Sequence, residues 1–313
     1  MAKNTKGQFP SYIPLYYRIF CRIRKIKRQT HVRINEYKAR KNGPIDIIPD
    51  GARVFVLPPD SDKINPKKVI NKSAIWIEED LSSSEIKNVA AKIESVKDLL
   101  RLKNLRYTSS AGTFARRMYT YESERRKLWE NAWVACHSEV KSGHKVLDIG
   151  GASTALVFYL ASLGCSVKVI DNDWSCCGMV YNTNYVARKM SWDIEIFDRD
   201  IARPVPFPDE SFDRVFSICT VEHLSSSVRR RMMREVARVL KPGGIVGLTI
   251  DYGINRKVLI SDKGLRFGYR QKLFEEIINP SGLSIYGNDD LIDTGTDEEG
   301  FLGALFLKKT NRL

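Results

Sequence analysis

Two carboxylates stand 23 positions apart, each at or next to the end of a short β-branched run: Val146-Leu147-Asp148-Ile149 and Val167-Lys168-Val169-Ile170-Asp171. The first run passes straight into Gly150-Gly151-Ala152-Ser153-Thr154 and then into an apolar helical pattern. Small residues at a strand-to-helix turn let a ligand come close to the backbone. An acid closing the second strand offers two oxygens to the two vicinal hydroxyls of a ribose. The chemistry implied is nucleoside binding, and at this level a nicotinamide dehydrogenase fits nearly as well as any other nucleoside-using enzyme. The plainer reading makes Asp148 and Asp200 turn or capping acids and Asp173 the N-cap of the next helix. Trp174 fits the face of an adenine ring or an ordinary core position equally well.

A second set of residues lies farther along, in Thr220-Val221-Glu222-His223-Leu224. His223 follows a strand-like run and is a candidate general base, since an imidazole can take a proton from an acceptor hydroxyl. A hydrogen-bonded structural histidine is the competing reading, and Glu222 reads more readily as a structural partner of a neighbouring helix. Arg229, Arg230, Arg231, Arg234 and Arg238 share a helical segment with Met233, Val236, Ala237 and Leu240, which reads as a solvated basic face. The six cysteines and four histidines show no metal-ligand spacing, so no metal site is expected, and the cysteines read as reduced thiols of a cytoplasmic protein.

The elements that must position these residues follow from the hydrophobic pattern. From Lys145 onward, β-branched runs recur at 146–149, 167–170, 194–197, 214–218, 245–250, 283–286 and 304–307. Helical patterns fall between them at 153–163, 174–190, 227–240 and 269–279. This alternation predicts an α/β fold, a seven-stranded mainly parallel sheet with helices on both faces. Ahead of it, a helix over about 122–140 presents Leu128, Trp129, Ala132, Trp133 and Cys136. Residues 46–118 read as a small α+β accessory region, with strand-like runs at 53–57 and 73–77. A helix follows there, beginning at a capping box of Ser82 and Glu85. Residues 1–45 form a basic arm, and 119–313 the main domain.

In order and spacing, Val146 to Thr154, Asp171, Asp200-Ile201, Pro206 to Asp213, Thr220 to Leu224 and Val239-Leu240-Lys241-Pro242-Gly243-Gly244 resemble the class I, Rossmann-like S-adenosylmethionine-dependent methyltransferases. The resemblance covers about residues 144–308 and not the first hundred. It implies S-adenosylmethionine as cofactor. Asp148 with Gly150, Gly151 and Ala152 would hold its methionine part, and Asp171, with Asn172 beside it, the ribose. Asp200 and the Ile201 backbone would hold the adenine, and Thr220 would line the pocket. The family usually has glycines where this chain has Ala152 and Thr154, which leaves the turn less room. Lys-Pro-Gly-Gly and the proline-containing stretch before Phe212 argue against a dehydrogenase.

The sequel to the fourth strand lacks the Asn/Asp-Pro-Pro-aromatic pattern of methyltransferases acting on nucleic-acid amines. This favours a small-molecule, sugar or lipid-linked acceptor and O-methylation over the alternatives, a nucleic-acid-directed enzyme or a non-catalytic cofactor-binding module. The net charge of +14 is concentrated at the start, where the first 50 residues hold 12 Lys/Arg against three acids. Leu15, Ile19, Ile23 and Ile26 recur there at helical spacing among Arg18, Arg22, Lys25 and Arg28. The arm therefore suits peripheral contact with an anionic membrane surface, or packing of its isoleucines on the catalytic domain or a second subunit. No run of about 20 apolar residues is present to span a bilayer.

Overall fold

Neighbouring residues of a strand point to opposite sides of a sheet, and the two cores of this protein are sorted by that rule. The computed structural model describes residues 14–20, 23, 72–74, 78–108, 121–172, 178–252, 273–288 and 301–310. Among these, β1 (Lys72–Ala74), α1 (Glu78–Ser82), α2 (Ser84–Leu102) and α3 (Tyr121–His137) lead into β2 (Lys145–Ile149), α4 (Ala155–Ser162), β3 (Ser166–Asp171), α5 (Met179–Met190) and β4 (Ile194–Asp198). β5 (Phe212–Ile218), a 3-10 turn (Val221–His223), α6 (Ser226–Val239) and β6 (Leu240–Tyr252) follow. A π-helical turn (Phe274–Ile278), α7 (Asn279–Ser281), β7 (Ser284–Ile285) and β8 (Phe301–Lys308) complete the chain.

The strands order as β1-β8-β6-β5-β2-β3-β4, with β7 also on β8. β4, β3, β2, β5 and β6 run parallel, and β8 is antiparallel to β6. The seven expected strands are present, and the sheet gains an eighth, β1, from the N-terminal region. β1 and β7 divide the outer edge of β8: Lys72 to Ala74 pair with Ala304 to Leu302, and Ser284 and Ile285 with Lys308 and Leu307.

Val146, Val167, Val169, Phe216, Ile245 and Phe306 bury one face of the sheet against α2, α3 and α4. Leu147, Ile149, Ile170, Val215, Val246 and Leu305 bury the other against α6 and the 273–283 segment. Ile86, Ile93 and Leu100 of α2 enter the first core, and Trp129 of α3 donates its indole N–H to Asp80 at 2.9 Å. Residues 78–108 thus share a core with the sheet.

Several local expectations change. The Ser82/Glu85 capping box does not form, because α1 runs almost directly into α2; Ser83 is the N-cap, without a side-chain cap, and its hydroxyl donates to the Asp80 carbonyl. Lys241-Pro242-Gly243-Gly244 does not precede the sixth strand but lies inside it. The pairing moves from Phe212–Leu240 to Arg214–Ile245, with Gly243 at φ +75° taking up the extra residues. Arg229 is not on a solvated face. It stands four residues before Met233 on the apolar stripe of α6, is fully buried, and its Nε donates to Glu276 at 2.5 Å. Residues 53–57, 173–177 and 269–272 lie outside the described residues, and with them one accessory strand and Asp173 and Trp174.

Candidate active site at the strand ends

β2 ends where the parallel strands present their C-terminal edges, and Gly150 turns there with φ +91° while its amide donates to the Ile170 carbonyl at 2.8 Å. An alanine Cβ at Gly150 would lie 2.3 Å from Thr220 Oγ1, and one at Gly151 would lie 2.0 Å from Asp148 Oδ1. Both glycines are therefore required by close approach, because the turn folds back over Asp148 and against Thr220.

Asp148 is 1% exposed, and the Gly151 amide approaches its carboxylate without completing a hydrogen bond to either oxygen. Burial, reinforced by the nearby charge of Asp171 and only partly countered by the Gly151 amide, pushes its carboxyl up to about 8. A buried acid so poorly supplied with donors is costly unless a ligand adds them. Asp171, 4% exposed at the end of β3, accepts from the Ala152 amide at 3.1 Å. It thereby ties the turn to the second strand, and Asn172 follows at the exit.

The two departures from glycine have local causes. Ser153, not Ala152, takes the left-handed conformation at φ +63°. It is held there by its amide donating to Thr183 Oγ1 at 2.8 Å, its hydroxyl to the Met179 carbonyl at 2.8 Å, and Asn182 Nδ2 reaching its Oγ at 2.9 Å. Thr154 is the N-cap of α4, accepting from the Val157 amide at 3.3 Å. The N-terminal region adds a clamp: Thr108 donates its amide to the Ser153 carbonyl at 2.6 Å and its hydroxyl to the Ala152 carbonyl at 3.2 Å.

Asp200 is exposed, and its Oδ1 accepts from the Ala202 amide at 2.8 Å, capping its own turn. Ile201 is half-buried against the second core. Thr220, half-buried, directly follows the end of β5 and Cys219. Beyond it, the His223 side chain is 68% exposed, with Nε2 4.0 Å from Oε1 of the buried Glu222.

A polar cluster that the sequence reading missed lies next to Thr220. Glu130 of α3 is fully buried; its Oε2 accepts from Lys127 Nζ at 2.8 Å, from Cys219 Sγ at 3.2 Å and from Thr249 Oγ1 at 3.3 Å. Its Oε1 has no partner among the described residues. Burial opposes the charge on Lys127, but Cys219 and Glu130 outweigh it and hold the ammonium well above the usual lysine range. Cys219 itself sits at φ +47°, its amide bonded to the Thr249 carbonyl at 3.0 Å. One signal was readable: Lys127 and Glu130, three apart, interrupt the apolar side of α3 beside Trp129 and Trp133.

The strand ends therefore hold a glycine turn, two buried acids and an adjoining polar cluster. Residues 147–248, which span this arrangement, match the family model described as "Methyltransferase domain". The methyltransferase GfsG of Streptomyces halstedii is 33% identical over 110 residues, 34% of this chain and 37% of that one. The ubiquinone/menaquinone biosynthesis C-methyltransferase UbiE of Cellvibrio japonicus is 31% identical over 147 residues, 46% and 57% of the two chains. The matched part is thus less than two thirds of either relative. The crystal structure of the 4+2 cyclase SpnF has the same fold, with a TM-score of 0.51 at 16% identity, covering 70% of this chain and 94% of that one. The strand order, the turn with its two acids and the family match together make residues 147–248 part of a class I, Rossmann-like S-adenosylmethionine-dependent methyltransferase domain.

Proposed function

We propose that this protein transfers a methyl group from S-adenosylmethionine to a hydroxyl of a small-molecule, sugar or lipid-linked acceptor. The observation that carries the reading is Asp148, a buried acid short of hydrogen-bond donors beneath a turn whose glycines admit no side chain. That cradle fits a ligand bearing an ammonium or amide donor, such as the methionine part of the cofactor. Asp171 would take the ribose hydroxyls, with Asn172 beside it. Asp200 and the Ile201 backbone would flank the adenine, and Thr220 would line the wall toward the acceptor.

The cofactor brings an already activated methyl group, so the chain's main task is alignment, which can supply up to about 7–11 kcal/mol of barrier lowering. Removal of the acceptor's proton falls to a side chain near the C-terminal end of β5. His223 is exposed there and can meet an acceptor from solvent; Glu130 Oε1 is the second candidate, for an acceptor that enters deeper. The relatives UbiE and sterol 24-C-methyltransferase are named for C-methylation, which makes transfer to carbon the competing outcome.

The test is transfer of a deuterated methyl group to a panel of phenols, glycosides and isoprenoid alcohols, read by mass spectrometry. An O-linked label, with rate lowered about 10²–10⁴-fold in His223→Gln or Glu130→Gln, supports the proposal. A label on carbon, or transfer to none of the panel, rejects the O-methylation reading.

A further inference from the structure

Residues 15–20 are helical, and the helix meets the catalytic domain through Tyr17, whose ring centre lies 5.5 Å from that of Tyr181 on α5. α5 begins at Met179, whose carbonyl receives the Ser153 hydroxyl of the glycine turn, so the helix is seated close to the proposed cofactor site. Its other side faces solvent. Leu15, Tyr16, Ile19 and Phe20 are 70, 69, 48 and 46% exposed, and Ile23, also helical, is 51% exposed.

At about 100° per residue, Leu15, Tyr16, Ile19 and Phe20 fall within an arc of about 140°. Ile23, four positions after Ile19, continues the same stripe. Ile19 and Ile23, which from sequence could pack on the catalytic domain, keep about half of their surface exposed. A surface helix of a soluble domain turns such a stripe inward, and a contiguous exposed apolar row marks an interaction site.

The charge around the row selects the occupant. In sequence, Arg18 stands within the row, Arg22, Arg24, Lys25, Lys27 and Arg28 stand in or just after it, and no acid occurs before Glu36. A second copy of this segment would bring two such cation sets together, whereas an anionic lipid surface neutralises them. Tyr16 and Phe20 add aromatic rings of the kind that settle at the boundary between headgroups and acyl chains. We propose that this helix lies in the interface of an anionic bilayer, with Leu15, Tyr16, Ile19, Phe20 and Ile23 entering the acyl boundary. The inference does not depend on the methyl acceptor and stands apart from the proposed transfer reaction.

The experiment is flotation of the full chain with vesicles of phosphatidylcholine alone and of phosphatidylcholine mixed with phosphatidylserine. Wild type is compared with Ile19→Glu/Phe20→Glu and with Arg22→Gln/Arg24→Gln/Lys25→Gln, and S-adenosylhomocysteine binding serves as the check on folding. Wild type is expected to partition onto the mixed vesicles about tenfold or more over the neutral ones, an excess that added salt removes. The apolar double variant should lose about tenfold or more of the binding, and the charge variant most of the anionic preference. Equal flotation of wild type on both vesicle types overturns the proposal. So does unchanged flotation of the apolar variant, or a dimer by light scattering that this variant abolishes while wild type ignores vesicles.

Discussion

Asp148→Asn removes a titration that the folded protein holds far from its ordinary position. The carboxyl lies beneath Gly151, is 1% exposed, and is pushed up to about 8 from 3.8 by burial and by Asp171. The folded state therefore binds this proton more tightly than the unfolded chain. Its stabilising contribution is fully present below about pH 4 and is lost as pH rises toward about 8. The displacement corresponds to at most about 6 kcal/mol, and relaxation with water entering the open cleft leaves about 2 kcal/mol as the expected effect. Because the asparagine does not ionise, the variant should lose less stability than wild type between about pH 5 and pH 9. The relative gain is about 2 kcal/mol, or roughly 4–8 °C in Tm for a domain of this size. Thermal and urea unfolding of the ligand-free protein across that range measure it. A difference between wild type and variant that stays constant with pH would refute the argument, since it would mean that Asp148 titrates alike folded and unfolded.

Two further substitutions probe the frame around the site. Gly150→Ala places a Cβ 2.3 Å from Thr220 Oγ1 at φ +91°, and should destabilise the domain by about 1–3 kcal/mol in urea unfolding while weakening S-adenosylhomocysteine binding. Arg229→Ala leaves Glu276 buried without its partner, and should cost about 3–5 kcal/mol by the same assay; a loss below about 1 kcal/mol would return Arg229 to the solvated face read from sequence.

What could be read in the sequence was what is local along the chain. Val146 to Thr154 and Val167 to Asp171 carry strand, turn and acid in consecutive residues, so their periodicity placed both acids at strand ends before any tertiary contact was known. The Lys127–Glu130–Cys219–Thr249 cluster joins three elements more than 100 residues apart in sequence at its extremes, and only the sheet order brings them together. β1 was invisible as part of the main sheet for the same reason: three residues pair with β8 across most of the chain. Arg229 was misread because its type outweighed its position, although Met232, Met233, Val236 and Val239 marked its stripe as the inner one. Ala152 and Thr154 counted against a glycine turn, but the left-handed position falls on Ser153, fixed by Asn182 and Thr183, while Ala152 gives its amide to Asp171 and Thr154 caps α4.

The central claim is that the turn from Gly150 to Ala152, between Asp148 and Asp171, holds the adenosyl cofactor. Titration calorimetry of S-adenosylhomocysteine into wild type and Asp171→Ala tests it most directly. Saturable one-to-one binding is expected, weakened by about 1.5–3 kcal/mol in the variant through loss of hydrogen bonds to a charged carboxylate. No binding to the folded wild type, or equal affinity in a folded Asp171→Ala protein, would contradict the account.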